Sequence, residues 1–146
     1  MPGEMLAKPK MPIWQKLLVG FAVLAGISMV VALSQPVWQL RNADKAFDNF
    51  ADALVAKNYV EAYQYTAQEL RAVTDYDAFV KIHQGLTDRM GDLKKVGMNQ
   101  FEVKERHDGW YGTLDADLVF ANGDLNFSFT LKKENGAWKI YSYHEL

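Results

Sequence analysis

Apolar positions along this chain follow three different rhythms. Leu17 to Leu33 (LLVGFAVLAGISMVVAL) are 17 consecutive residues without a charge. Between residues 43 and 90 the apolar positions recur every three or four residues, and from Lys94 onward they alternate with polar ones. The first rhythm predicts a membrane span, the second helices and the third strands.

The charge-free run is flanked by Lys16 and by Trp14 and Trp38. An uninterrupted helix from Trp14 to Trp38 runs about 36 Å, enough to cross a hydrocarbon core of about 30 Å with an indole at each interface. The competing reading is a cleavable signal peptide, for which Ala32-Leu33-Ser34 is an adequate small-x-small site. Against it, the run is longer than an ordinary signal-peptide core and continues through Val37 and Trp38. A soluble core helix is a third reading. Within the span, Ala22 and Gly26 stand four apart, as do Ser28 and Ala32, a spacing that admits close approach of another transmembrane helix; packing against lipid is the plainer account.

Ser34-Gln35-Pro36 marks a joint where a cap-capable serine and a first-turn proline begin a new helix. Phe47, Phe50, Ala51, Leu54 and Val55 then form one helical face opposite Asp44, Lys45, Asp48, Asp52 and Lys57, ending near Asn58. A short helix covers Tyr59 to Tyr65, and Thr66 with Glu69 has capping-box spacing for a further turn through Arg71. Thr74 and Asp75 open a helix carrying Phe79, Ile82, His83 and Leu86 that closes near Gly91.

Four strands follow, separated by the turn signals Asp108-Gly109, Asn122-Gly123 and Asn135-Gly136. The first runs from about Lys94 to His107 with an irregularity near Asn99 and Gln100. The second places Trp110, Leu114, Ala116, Leu118 and Phe120 opposite Thr113, Asp115 and Asp117. In the third, Leu125, Phe127, Phe129 and Leu131 alternate with Asn126, Ser128, Thr130 and Lys132. The fourth is expected to carry Trp138 and Ile140 on one side and Tyr141 and Tyr143 on the other. Helices first and an antiparallel meander last define an α+β domain whose sheet packs one face on the helices. The expected division is a tail over 1–13, a transmembrane helix over 14–38 and one domain over 39–146.

Net charge of −2 is unevenly placed: residues 39–146 hold 13 Lys/Arg against 17 Asp/Glu. That mildly acidic domain disfavours nucleic acid as a partner, because phosphate binding needs a basic face. Cysteine is absent, which removes disulfides, thiolate metal sites and cysteine nucleophiles. Lys8, Lys10 and Lys16 precede the span and Arg41 and Lys45 follow it, a bias toward an N-terminus inside. The domain is accordingly expected to be periplasmic, on a bacterial cytoplasmic membrane.

The segments AFDNFADALVAKNYVEAYQYT, DYDAFVKIHQGLTDRMG and FSFTLKKENGAWKIYSYHEL resemble the nuclear-transport-factor-2-like, or cystatin-like, superfamily, and within it small bacterial single-span proteins. The resemblance covers nearly all of residues 40 to 146 and implies a cone of helices on a curved four-stranded sheet. In enzymes of that superfamily, such as ketosteroid isomerases and scytalone dehydratase, the open end of the cone holds substrate. An isomerase-type Asp base with a Tyr and acid pair cannot be placed here, nor a dehydratase-type His/Asp pair.

Three histidines, His83, His107 and His144, show no metal-ligand spacing. His83 is the leading candidate for acid–base work, with a hydrogen-bonded structural histidine as the plainer account. Tyr63, Tyr65, Tyr76, Tyr111, Tyr141 and Tyr143, with Trp110 and Trp138, are candidates to line a pocket for a small apolar or aromatic ligand, with Tyr63, His83, Trp110 and Tyr141 foremost, although aromatics on twisted sheets more often serve packing. Asp115 and Asp117 read as a solvated strand face rather than a catalytic pair. No cofactor, metal site or catalytic set is expected. The functional expectation is a non-enzymatic, single-pass accessory subunit of a larger membrane complex, with lipid and other membrane subunits as partners and self-association through the sheet as a further candidate. The alternative is a membrane-tethered domain or enzyme that binds a small ligand in the cone.

Overall fold

In the computed structural model, which describes residues 37–146, the helices precede the sheet in the order the periodicity predicts. Helix α1 covers 37–55 and buries Ala43, Phe47, Phe50, Ala51, Ala53 and Leu54 on one face. It ends where Lys57 adopts a left-handed φ of 57° and the Asn58 N–H reaches back to the Ala53 carbonyl at 2.8 Å. That bond closes the last turn and satisfies a carbonyl that would otherwise be orphaned. Asn58 then caps α2 (Tyr59–Gln64), its side chain accepting from the Glu61 N–H.

Helix α3 (Gln68–Val73) starts without a side-chain cap, so the capping role expected of Thr66 is not realised. Residues 65–67 instead bridge to the last strand: Ile140 N–H donates to the Tyr65 carbonyl at 2.7 Å and Ala67 N–H to the Ile140 carbonyl at 2.8 Å. This pairing turns Thr66 inward, where its hydroxyl donates to the Tyr63 carbonyl at 2.6 Å and accepts from Arg71 Nε at 3.0 Å. Helix α4 (Tyr76–Met90) is capped by Asp75, which accepts from the Ala78 N–H at 2.8 Å, and ends at Gly91. A Cβ at Gly91 would come within 2.8 Å of the Ala121 Cβ, so the glycine lets the helix end close against the sheet.

Strands β1 (Leu93–Arg106), β2 (Gly109–Phe120), β3 (Gly123–Glu134) and β4 (Ala137–Glu145) form one antiparallel sheet in the order β1-β2-β3-β4. Only the third turn sits where the sequence places it, on Asn135-Gly136, with φ of 49° and 81°. The first two turns fall one residue early, on His107-Asp108 and Ala121-Asn122, because Gly109 and Gly123 are already paired as the first residues of their strands. The irregularity expected near Asn99 is present as a register shift between Met98 and Gln100.

A register shift between β3 and β4 corrects the expected facing of Tyr143 and leaves that of Trp138, Ile140 and Tyr141 as expected. Leu131 pairs with Ile140 but Thr130 pairs with Ser142, so one residue is extra on β4. Such a bulge inverts the alternation beyond it. Trp138, Ile140 and Tyr143 therefore lie over the helices, whereas Tyr141 lies on the outer face.

The space between helices and sheet is filled by side chains. Phe129 on β3 meets Phe47 edge-on with ring centroids 5.0 Å apart and Phe50 at 6.1 Å, and Phe50 meets Phe79 of α4 at 6.5 Å. Leu114, Leu131 and Ile140 complete this layer and are at most 1% exposed. Gly112 lies on the same face of β2, with the Phe101 ring lying over its backbone: an added Cβ would stand 2.9 Å from Phe101 Cε2. Gly112→Ala is expected to destabilise the domain by about 1–3 kcal/mol through this overpacking. Gly97→Ala, where a Cβ meets nothing within 4 Å, is the matched control in urea titration; equal midpoints for the two variants would contradict this packing.

Among the described residues no helix is long and apolar enough to cross a membrane. The expected span, with Trp14, Lys16, Ala22, Gly26, Ser28 and Ala32, and the joint at 34–36 lie outside the described residues. Trp38 lies in the first turn of α1, 62% exposed, with the Arg41 guanidinium 6.0 Å from its ring centroid.

Candidate functional site

The helical spacing that buries Phe79 carries the next turn of α4 inward as well, so His83 is buried beside it. The His83 imidazole lies edge-on to Phe79 at 4.5 Å and stacks over Tyr59 at 6.2 Å. Its Nε2 is 3.2 Å from the Tyr143 hydroxyl, which the β4 bulge brings to this face. Burial lowers the His83 pKa to about 4 and raises that of Tyr143 to about 12. Both groups are thus neutral near pH 7 and share one hydrogen bond, with the donor set by the imidazole tautomer.

A neutral imidazole whose ring nitrogen is engaged by a tyrosine links α4 to β4 by a hydrogen bond. The sign of its pH effect follows from the lowered pKa. As pH falls the unfolded chain takes up the proton first, so the stability His83 confers is complete above about pH 6.5 and is lost between about 6.5 and 4, by up to about 3 kcal/mol. His83→Gln keeps a neutral hydrogen-bonding group and is expected to narrow the gap between urea midpoints at pH 7.5 and pH 4.5. Identical gaps in the two proteins would show that His83 is not held neutral by burial.

Tyr63 approaches this cluster through Phe79, at 5.3 Å, and its hydroxyl donates to the Thr74 carbonyl at 3.0 Å. Arg71 lies 5.1 Å above the Tyr63 ring and donates to the carbonyls of Tyr63 and Gln64. The other two expected pocket residues are elsewhere. Trp110 packs on the core near the β1–β2 turn. Tyr141, on the outer face, meets Tyr111 at 5.9 Å. The structure thus brings Tyr63, His83 and Tyr143 together and places Trp110 and Tyr141 elsewhere, with Tyr143 turned to this face by the bulge.

A groove of about 480 Å³ opens beside this cluster, between α3, α4 and the ends of β3 and β4. Leu70, Ile82, Leu86 and Phe127 make its walls, and Tyr143 lies at its edge. Arg89 and Glu145 form an exposed ion pair of 3.6 Å at its rim. An exposed pair of this kind contributes little.

The outer face carries a separate polar cluster. Lys132 donates to Glu69 of α3 at 2.6 Å and lies 5.7 Å from the ring centroids of both Tyr111 and Tyr141. The Tyr111 hydroxyl donates to Asp108 at 2.7 Å, which holds that carboxyl below its usual range. Glu69 likewise keeps Lys132 protonated above the ordinary lysine value. These bonds tie α3 and the β1–β2 turn to the sheet. Asp115 and Asp117 face outward opposite Ser128 and Asn126. Among the described residues no group of three or more His, Cys, Asp or Glu side chains is placed to hold a metal ion.

Solved structures of other proteins share this arrangement, among them two with TM-scores above 0.5. A Campylobacter jejuni protein described as an NTF2-like transpeptidase superposes with a TM-score of 0.51 at 14% identity, covering 69% of this chain and 98% of its own. Aln2 from a Streptomyces species superposes with a TM-score of 0.53 at 11% identity, covering 72% of this chain and 87% of its own. Identities this low establish the fold alone, which is nuclear-transport-factor-2-like. No protein-family model matches the sequence. No curated protein matches it either.

Proposed function

We propose that this nuclear-transport-factor-2-like domain is the extracytoplasmic interaction module of a single-pass accessory subunit in a larger membrane complex. The observation that carries this reading is the filled interior. Phe47, Phe50, Phe79 and Phe129 occupy the space between helices and sheet, and the buried His83 is engaged by Tyr143. A domain so packed has surfaces to offer rather than a chamber. The charge-free run Leu17–Leu33 supplies the membrane address, and the lysines before it favour an N-terminus inside.

The test is native purification through a C-terminal tag in mild detergent, followed by identification of the stoichiometric partners. A stable complex is expected, and Ala22→Leu with Gly26→Leu is expected to weaken it where that face meets another helix. Recovery of a lone, monodisperse chain would overturn the reading. The groove beside Tyr143 favours a second reading, tethered binding of a small lipophilic ligand, and native mass spectrometry of the same preparation would reveal such a ligand as a fixed mass increment.

A further inference from the structure

We propose that the end of the domain formed by the β1–β2 and β3–β4 turns lies against the phospholipid headgroup layer, and that the groove between α4 and β4 is directed away from the membrane. The inference rests on the reading of Leu17–Leu33 as a membrane span. It adds which surface meets lipid and which is left for a partner.

Chain length sets the first constraint. From Leu33 to Val37 there are four residue steps, a reach of chain of about 14 Å at full extension. The structure identifies the end of the domain to which the start of α1 belongs. Lys133 Nζ donates to Gln39 Oε1 at 3.0 Å, which fixes the first turn of α1 beside the β3–β4 turn. Tyr111 pairs with Lys132, so the β1–β2 turn lies alongside. The other end of α1 is held at the opposite end of the sheet, where Lys57 and Asp92 form an ion pair of 2.6 Å and Ala121 N–H donates to the Asp92 carbonyl. Helix α1 thus runs along the strands, and 19 helical residues separate the two ends by roughly 28 Å.

The side chains at the near end suit a headgroup layer. Val37 and Trp38 are more than half exposed and Leu40 is 39% exposed, immediately after the apolar run. Arg41 lies over the Trp38 ring. An exposed indole and aliphatic residues with a guanidinium beside them match the boundary between acyl chains and phosphates. The turn itself adds Arg106, His107 and Lys133 as donors toward phosphate oxygens. Of the acids at this end, Asp108 accepts from the Tyr111 hydroxyl and Glu134 from the Gln68 N–H, while Glu105 is exposed. Phe127 and Glu145, by contrast, place the groove toward the far end of β3 and β4.

The absence of cysteine allows single-cysteine labelling of the full chain. His107→Cys and Ala137→Cys report the near end, and Asp124→Cys the far end; all three positions are exposed. Each variant is labelled with a small fluorophore and reconstituted into phosphatidylcholine–phosphatidylglycerol vesicles with and without a headgroup-nitroxide lipid. Several-fold stronger quenching at 107 and 137 than at 124 is expected. Chain that floats with the vesicles yet shows equal or reversed quenching would overturn the orientation while leaving the anchor intact. Chain that fails to float would overturn the anchor and the orientation together.

Discussion

Truncating Phe129 to alanine is expected to lower the unfolding free energy by about 3–5 kcal/mol, much of what holds a domain of this size together. Phe129 is 2% exposed, and its ring meets Phe47, Phe50, Phe127 and Tyr143 at centroid separations between 5.0 and 6.1 Å. Rings on α1, β3 and β4 cannot all collapse into the gap, so a cavity cost adds to the lost transfer energy. Loss of near-ultraviolet dichroism at a urea concentration that leaves the native chain folded would meet the expectation. A midpoint shift equivalent to less than about 1 kcal/mol would mean that the core does not close around this ring.

Placing two lysines in the middle of the apolar run, Val23→Lys with Leu24→Lys, is expected to abolish membrane insertion. Each costs about 2.5–3.5 kcal/mol at a helix centre, so the pair shifts the partition by more than about a thousandfold. Flotation after carbonate washing separates the outcomes: the native chain should rise with the membranes and the variant should stay below. A native chain released by carbonate, or a variant that still floats, would refute the span. Intact mass of the floated chain distinguishes an anchor retained from Met1 from a product cleaved after the small-x-small site.

The order and type of the described elements are legible because each rests on local signals. Phe47, Phe50 and Leu54 repeat at helical spacing, Leu125 to Leu131 alternate cleanly, and Asn135-Gly136 adopts the left-handed pair of conformations its residues favour. What periodicity does not deliver depends on pairing between distant segments. The turns at 107–108 and 121–122 shift because Gly109 and Gly123 pair across the ladder. Thr66 is diverted from capping by its bridge to Ile140. The His83–Tyr143 contact spans 60 residues and requires the bulge, so His83 can be singled out as a chemical group but not given its partner. Of the candidate pocket, Tyr63 and His83 come together through Phe79 on neighbouring helices, whereas Tyr141, next to the inward Ile140, faces away as alternation predicts.

That extra residue is a position of β4 that the ladder does not use. Excising Tyr141 would leave Ser142 opposite Thr130 and Tyr143 opposite Phe129, restoring strict pleating with Tyr143 still turned toward His83. Natural variants of this strand should therefore tolerate loss of that one position more readily than insertion of another beside it, which would carry Tyr143 out of step with Phe129.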